Sequence, residues 1–327
     1  MQKGFQPGAA RSNGIGLNMF SEDELQQVHL ATLDVLWNIG VKVESDKAVD
    51  IFHAGGCSID SAGRIVKIPA WLVEDAIRSA PPTFRACGRN PDKDYLCEKD
   101  RTGFVNFGEA PQMLDLETRK LRTPLQKDVD EATRLMDALE EIIVFERPLT
   151  PSDMDQDIVC LYNTKAFYQH CTKHGYIGIN SVENLRTCYA MGCAVAGSKE
   201  AFRQRPTFST TCDPISPLLH SREACDVLIE ACELGVPLKI NPLGLTGGTA
   251  CVNQASALVT HNAENLSMFV LGQLVRKGHP MVYGSSTSMM DLKTGLASMG
   301  CPEGGIFSAA IAKMAQFYQL PSWTSGG

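Results

Sequence analysis

Hydrophobic and polar positions divide the chain into two textures. In the first, apolar residues recur at helical spacing in short bursts. Ser21 and Glu24 spell a capping box ahead of Leu25, Val28, Thr32, Leu36 and Ile39, which share one helical face, and Gly40 supplies the stop. A second helix is predicted over 46–54, ending at Gly55 and Gly56. The stretch 57–68 reads as a hairpin turning at Ser61, Ala62 and Gly63, and a third helix over 70–79 is stopped by Pro81 and Pro82. Residues 1–102 therefore read as an N-terminal α+β region without a regular βα rhythm.

From Gly103 onward, short β-branched or apolar runs alternate with amphipathic helices. Strands are predicted at 104–107, 142–145, 176–179, 207–211, 236–240, 281–283 and 321–324. Helices are predicted at 127–139, 156–170, 182–196, 222–234, 254–276 and 304–318. Crossovers of this length join parallel neighbours, so an α/β fold with a parallel sheet follows. A doubly wound sheet is expected to carry G-x-G-x-x-G after its first strand, and Phe107-Gly108-Glu109-Ala110-Pro111 has none. The favoured reading is a (β/α)8 TIM-type barrel over 103–327, incomplete at the C-terminus: seven strands and six helices are visible where a closed barrel has eight of each. Such a sheet would leave the edges of its first and last strands unpaired.

Composition narrows the class. The chain has 327 residues with 30 Lys plus Arg against 37 Asp plus Glu, a net charge of −7. Apolar residues make up 44% and charged residues 20%, enough for a sizeable core. No apolar run approaches the roughly 18 residues of a membrane span, and no basic cluster suits nucleic acid. A neutral or cationic small molecule fits the acidic balance better. Residues 1–12 lack a segment of signal-peptide length, so the cytoplasm is expected. The twelve cysteines lie mostly in apolar-periodic segments, with Cys225 and Cys232 seven apart on one helical face, and read as reduced, buried thiols.

On the barrel reading, polar residues at strand ends face a common mouth: Glu109, Glu146 with Arg147, Asn180, Asp213, Asn241, and Ser285 with Ser286. Glu109, Glu146 and Asp213 are the catalytic candidates; Asn180, Asn241, Tyr283 and Ser285 are the substrate-binding ones. Gly244-Leu245-Thr246-Gly247-Gly248-Thr249 is glycine-rich but lacks the Lys-Ser/Thr of a nucleotide loop, which favours a tight turn over a phosphate cradle. His170-Cys171-Thr172-Lys173-His174 offers metal-type ligands at short spacing, yet lies at a helix end where His meets the dipole. His261, Asn262, Glu264 and Asn265 form a polar cluster that would shape the mouth or lie on a solvated face. No nucleophile elbow, kinase set or zinc signature is present, and no metal is expected. Residue pattern alone leaves a barrel enzyme of unknown reaction.

Longer motifs carry a resemblance. The segments 242–250 (PLGLTGGTA), 261–266 (HNAENL) and 272–280 (GQLVRKGHP) look like the trimethylamine methyltransferase family. So do 291–295 (DLKTG), 300–303 (GCPE) and 315–322 (AQFYQLPS), and the likeness runs over residues 15–327. The resemblance implies a (β/α)8 barrel after an N-terminal α+β region. It also implies transfer of a methyl group from trimethylamine to the Co(I) corrinoid of a cognate corrinoid protein, in methanogenesis from methylamines. The cobalamin is carried by that partner, and no cofactor is expected on this chain; a homo-oligomer is expected. In the trimethylamine branch, pyrrolysine follows a Thr-Ser-Gly-Gly type segment, encoded by an in-frame amber codon, and its electrophilic imine is thought to quaternise the amine. Here Thr324-Ser325-Gly326-Gly327 closes the chain. The main catalytic residue is therefore expected just after Gly327, the chain being the amber-terminated portion of a longer enzyme and inactive by itself. Two alternatives stay open: a pyrrolysine-free member that demethylates a quaternary amine such as glycine betaine, and an inactive fragment that binds a corrinoid protein.

Overall fold

The computed structural model describes residues 20–60 and 64–325; the predicted turn at Ser61, Ala62 and Gly63 and the last two glycines lie outside them. The described residues fall into two compact units. One holds Arg85–Thr211 and Leu234–Pro237, the other 20–60, 64–84, Cys212–Glu233 and 238–325.

In the first unit, strands Phe104–Val105, Ile142–Glu146, His174–Ile177 and Phe208–Cys212 pair in chain order, every pair parallel. The first strand is two residues shorter than its apolar run. Asn106 ends it by imitating a strand: its Oδ1 accepts from the Glu146 N–H at 3.0 Å and its Nδ2 donates to the Glu146 carbonyl at 2.7 Å. The third strand begins two residues earlier than its β-branched pattern suggests, because His174 already pairs with Val144. Helix Val159–His170 packs over it. Phe167 stacks on Phe145 at 5.4 Å, and a side chain on Gly175 would meet the Phe167 ring at 2.7 Å, so only glycine admits this approach. Helix Gln126–Ala138 starts on Asp128, whose carboxylate accepts from the Leu125 N–H at 2.7 Å and from Arg122 at 2.7 and 2.8 Å. Helix Val182–Ala196 is capped by Ser181 and stopped by left-handed Gly197 (φ 91°), as its sequence predicts. A further short helix, Lys199–Gln204, and the hairpin Met113–Leu114 with Leu121–Arg122 escaped the periodicity analysis.

In the second unit, strands Leu238–Ile240, Met281–Gly284 and Ser322–Trp323 again pair parallel and in chain order. The predicted N-terminal elements are all present here. Helix Glu22–Asp34 carries the Ser21/Glu24 box and continues as a π turn over Val35–Ile39. Helices Asp46–Ala54 and Ala70–Ser79 fall where predicted, and Ser58–Asp60 pairs antiparallel with Ile65–Lys67. Val41–Val43 joins that hairpin and also pairs parallel with Leu219–His220. Helix Gln254–Val275 is buried along most of its length and packs against Glu22–Asp34 and Ala70–Ser79. A small sheet of Leu245–Thr246, Ser288–Asp291 and Leu296–Ser298 follows the strand ends. It was not foreseen, because its strands are short and mostly half-exposed.

The fold is thus mixed α/β, with parallel strands alternating with helices in both units. Among the described residues no helix is long and apolar enough to cross a membrane. The cysteines of the described residues are free, and most are buried. Burial pushes the thiols of Cys57 and Cys225 up to about 12, so neither is a ready nucleophile at neutral pH.

Candidate functional site

Each unit carries its own set of polar groups at the C-terminal ends of its parallel strands. In the first, Glu109 adopts a left-handed backbone (φ 63°), a conformation costing a non-glycine residue on the order of 1 kcal/mol. The turn is held by the Glu109 N–H to the Arg147 carbonyl at 2.7 Å and by Ala110 to Pro148 at 3.1 Å. This geometry aims the Glu109 carboxylate at Arg147 Nη2, 2.5 Å away. Arg147 is buried, and its Nε has no partner among the described residues. The Glu109 carboxylate lies above Gly178, where any side chain would meet Oε1 at 2.9 Å, and the Glu146 carboxylate lies above Gly108. Asn180 is exposed and turned to the helix that follows, accepting from Asn184 at 3.4 Å.

In the second unit, Asp213, Asn241 and Ser286 form a hydrogen-bonded chain. Asn241 Nδ2 donates to Asp213 Oδ1 at 3.0 Å, and Ser286 Oγ donates to Asn241 Oδ1 at 3.0 Å. The backbone enforces this: Asn241 N–H binds the Cys212 carbonyl at 2.9 Å and Ser286 N–H binds the Pro242 carbonyl at 3.0 Å. Ser286, not Ser285, completes the chain. Ser285 is buried, and its Oγ accepts from the Thr287 N–H at 3.0 Å, shaping the turn. Tyr283 is placed elsewhere. Its ring is wholly buried against the helices and its hydroxyl donates to Asn262 at 2.8 Å, away from the strand-end chain.

Lys239 was missed by sequence reasoning. It is buried, its stem crosses Gly284, where a side chain would meet Lys239 Cγ at 2.7 Å, and its ammonium lies 4.9 Å from the centre of the Trp323 ring. The available signal was a lysine inside the apolar run 236–240.

The polar cluster on helix Gln254–Val275 is not solvated: His261, Asn262, Glu264 and Asn265 are all buried. Asn262 donates to Thr32 at 2.9 Å and to the Tyr318 hydroxyl at 2.8 Å. Glu264 accepts from Ser216 Oγ at 2.8 Å and from the Leu218 N–H at 2.9 Å, pinning the loop that begins at Asp213. Burial raises its carboxyl to about 7, against the opposing pull of those two hydrogen bonds. Burial likewise drives His261 down to about 3.

The His170 to His174 stretch is structural. Lys173 donates to the carbonyls of Met136 and Leu139 at 2.6 and 2.5 Å, closing the end of helix Gln126–Ala138. His174 is held between the Cys87 carbonyl and Ser209, and burial lowers it to about 4. Among the described residues no cluster of His, Cys, Asp and Glu could hold a metal ion. The glycine-rich loop spends its own N–H groups: Gly247 binds Ala250, and both Gly248 and Ala250 bind Leu245, with Gly247 at φ 89°. It is a turn, and helix Gln254–Val275 starts later, on an Asn253 cap.

Comparison with known proteins places the chain. Residues 7–327 match the family model described as trimethylamine methyltransferase (MTTB). The chain is 42% identical over 322 residues to trimethylamine methyltransferase MttB of Desulfitobacterium hafniense (strain DSM 10664 / DCB-2), covering 98% of this chain and 65% of that protein. It is 38% identical to the Methanosarcina thermophila MttB, covering 96% of this chain and 66% of that one. A glycine betaine methyltransferase of Desulfitobacterium hafniense (strain Y51) is more distant at 26% identity, with 95% and 64% covered. The chain thus spans about two thirds of the length of these relatives. The crystal structure of the Methanosarcina barkeri monomethylamine methyltransferase shares its fold, with a TM-score of 0.55 at 13% identity over 93% of this chain and 67% of that one. On the family match over residues 7–327, the chain belongs to the trimethylamine methyltransferase family.

Proposed function

We propose that the protein moves a methyl group from trimethylamine to the Co(I) corrinoid of a carrier protein. The observation that carries this reading is the 42% identity to a trimethylamine methyltransferase across 98% of the chain. In that reaction the C–N bond of the amine breaks, Co(I) supplies the electron pair of the new C–Co bond, and the departing dimethylamine takes up a proton. The chain's own residues supply position and charge. Carboxyl groups at strand ends either stabilise positive charge on the amine nitrogen when ionised or deliver the proton when protonated, which makes Glu109, Glu146 and Asp213 the candidates. Asn241, fixed at both ends of its amide by Asp213 and Ser286, is suited to orienting a small ligand.

The alternation of parallel strands and helices, together with the likeness to monomethylamine methyltransferase, supports a (β/α)8 TIM-type barrel as the full architecture. Strand-end residues are where such a fold carries its chemistry.

The test uses protein purified from the cells that make it, incubated with Co(I) cobalamin and trimethylamine, glycine betaine, or neither. Methylcobalamin formed with trimethylamine alone is the expected result. Methylation with glycine betaine alone, or with neither amine, would overturn the reading.

A further inference from the structure

In the second unit a cleft of about 440 Å³ opens between helices Glu22–Asp34 and Ala70–Ser79 and the end of helix Pro302–Phe317, lined by Gln26, His29, Glu74, Arg78, Phe317 and Tyr318 among others. That volume lies within the range of small-molecule sites. None of its lining belongs to the strand ends of this unit.

The floor of the cleft is a chain of hydrogen bonds. Tyr283 donates to Asn262 Oδ1 at 2.8 Å, which fixes the amide so that Asn262 Nδ2 donates to the Tyr318 hydroxyl, also at 2.8 Å. The Tyr318 hydroxyl is hydrogen-bonded in turn to His29 Nδ1, 3.0 Å away. The other ring nitrogen, His29 Nε2, lies 2.8 Å from Glu74 Oε1. One oxygen of the Glu74 side chain is thus engaged. Its side chain is 42% exposed, so the second oxygen is available to the cleft.

Three rings border that carboxylate. Phe317 and Tyr318 meet edge-on at 5.3 Å, and His29 lies 5.5 Å from Tyr318 and 6.1 Å from Phe317. A carboxylate beside aromatic rings is a surface for an ammonium group. One turn further along the same helix, Arg78 lines the cleft and has no ion pair or hydrogen bond among the described residues. Its planar fork suits a carboxylate. Positions 74 and 78 are separated by about 6 Å along a helix axis, so the two opposite charges stand a short molecule's length apart.

We propose that this cleft is a binding site for a small zwitterion of the amino-acid class, its carboxylate on Arg78 and its ammonium against Glu74 and the Phe317 and Tyr318 rings. The site is separate from the methyl-transfer reading, and either stands without the other. A ligand with one charge leaves half of the lining unused.

The probe is β-alanine, titrated into the purified chain by calorimetry, with acetate and methylammonium as single-charge controls. β-Alanine should bind with a 1:1 stoichiometry and about tenfold more tightly than either control. Arg78→Met should weaken β-alanine about tenfold or more, while Asn241→Ala at the strand ends should leave its affinity unchanged. Arg78 is exposed, so its replacement tests the site without risk to the core. Acetate binding as tightly as β-alanine, an Arg78→Met variant with full affinity, a loss of affinity in Asn241→Ala, or no heat of binding at all would each overturn the proposal.

Discussion

Glu264 stays in the core without a counter-ion among the described residues to offset its burial. It is 1% exposed, its two acceptors hold one hydroxyl and one N–H, and its carboxyl lies at about 7 where 4.5 is ordinary. Between those two values the folded protein keeps a proton that the unfolded chain has released. The Glu264 contribution to stability is therefore greatest below pH 4.5, falls as pH rises towards 7, and levels off beyond. The loss is roughly 3 kcal/mol if the whole shift is expressed. In Glu264→Gln the amide oxygen can still accept from the Leu218 N–H, and the Ser216 hydroxyl can turn to accept from the new NH2. The variant should lose this component of the pH dependence and match or exceed the parent at pH 8. Urea denaturation at pH 5, 6, 7 and 8 reads the difference directly; parallel curves for the two proteins would mean that Glu264 does not titrate in this range.

At the scale of elements, the end of helix Gln126–Ala138 depends on a residue far along the chain. Lys173 caps the Met136 and Leu139 carbonyls, and Asp137 accepts from both the N–H and the hydroxyl of Thr172. Burial lowers the Lys173 ammonium below its ordinary value, and the two carbonyls receive its N–H groups in place of water. Lys173→Met removes the donor and strands two carbonyls, at an expected cost of about 2 kcal/mol. Amide exchange should then accelerate across 135–139 while helix Val182–Ala196, capped independently, keeps its protection; uniform acceleration across both helices would refute a local role. The same contrast explains what the sequence could reveal. Val182–Ala196 and Arg222–Leu234 were readable to the residue because their caps and apolar stripes are local. The third strand was misplaced by two residues because its ends are set by its neighbours. The polar face of Gln254–Val275 was read as solvated or as part of a mouth because its partners lie far off: Thr32 is 230 residues from Asn262, and Ser216 is 48 from Glu264. Asp213 and Asn241 were identifiable as strand-end residues, but their bond, and the substitution of Ser286 for Ser285 in the chain, depend on a strand register that the pattern does not encode.

At the scale of the whole molecule, family membership sets the reaction to be tested, and the strand ends supply the residues on which to test it. Among the candidates, Glu109 combines a left-handed backbone, a half-exposed carboxylate and a buried arginine partner. A residue held against its backbone preference marks a position where the surrounding structure over-determines the side chain's aim. Glu109→Gln preserves shape and keeps an oxygen for the Arg147 guanidinium while removing the charge. Because the carboxylate is 46% exposed, water screens much of the pair, and the stability cost should be about 1 kcal/mol or less. If Glu109 offsets charge on the amine or protonates the departing dimethylamine, Glu109→Gln in protein purified from the cells that make it loses methyl transfer from trimethylamine by about a hundredfold. Lys47→Gln, which breaks the exposed Lys47–Glu233 pair at 3.0 Å, serves as the matched control and should keep full activity. Thermal melts establish that both variants fold, and the rate of cobalamin methylation distinguishes them. A folded Glu109→Gln protein with the parent's rate would remove Glu109 from the reaction and leave its ion pair with Arg147 as a purely structural clamp.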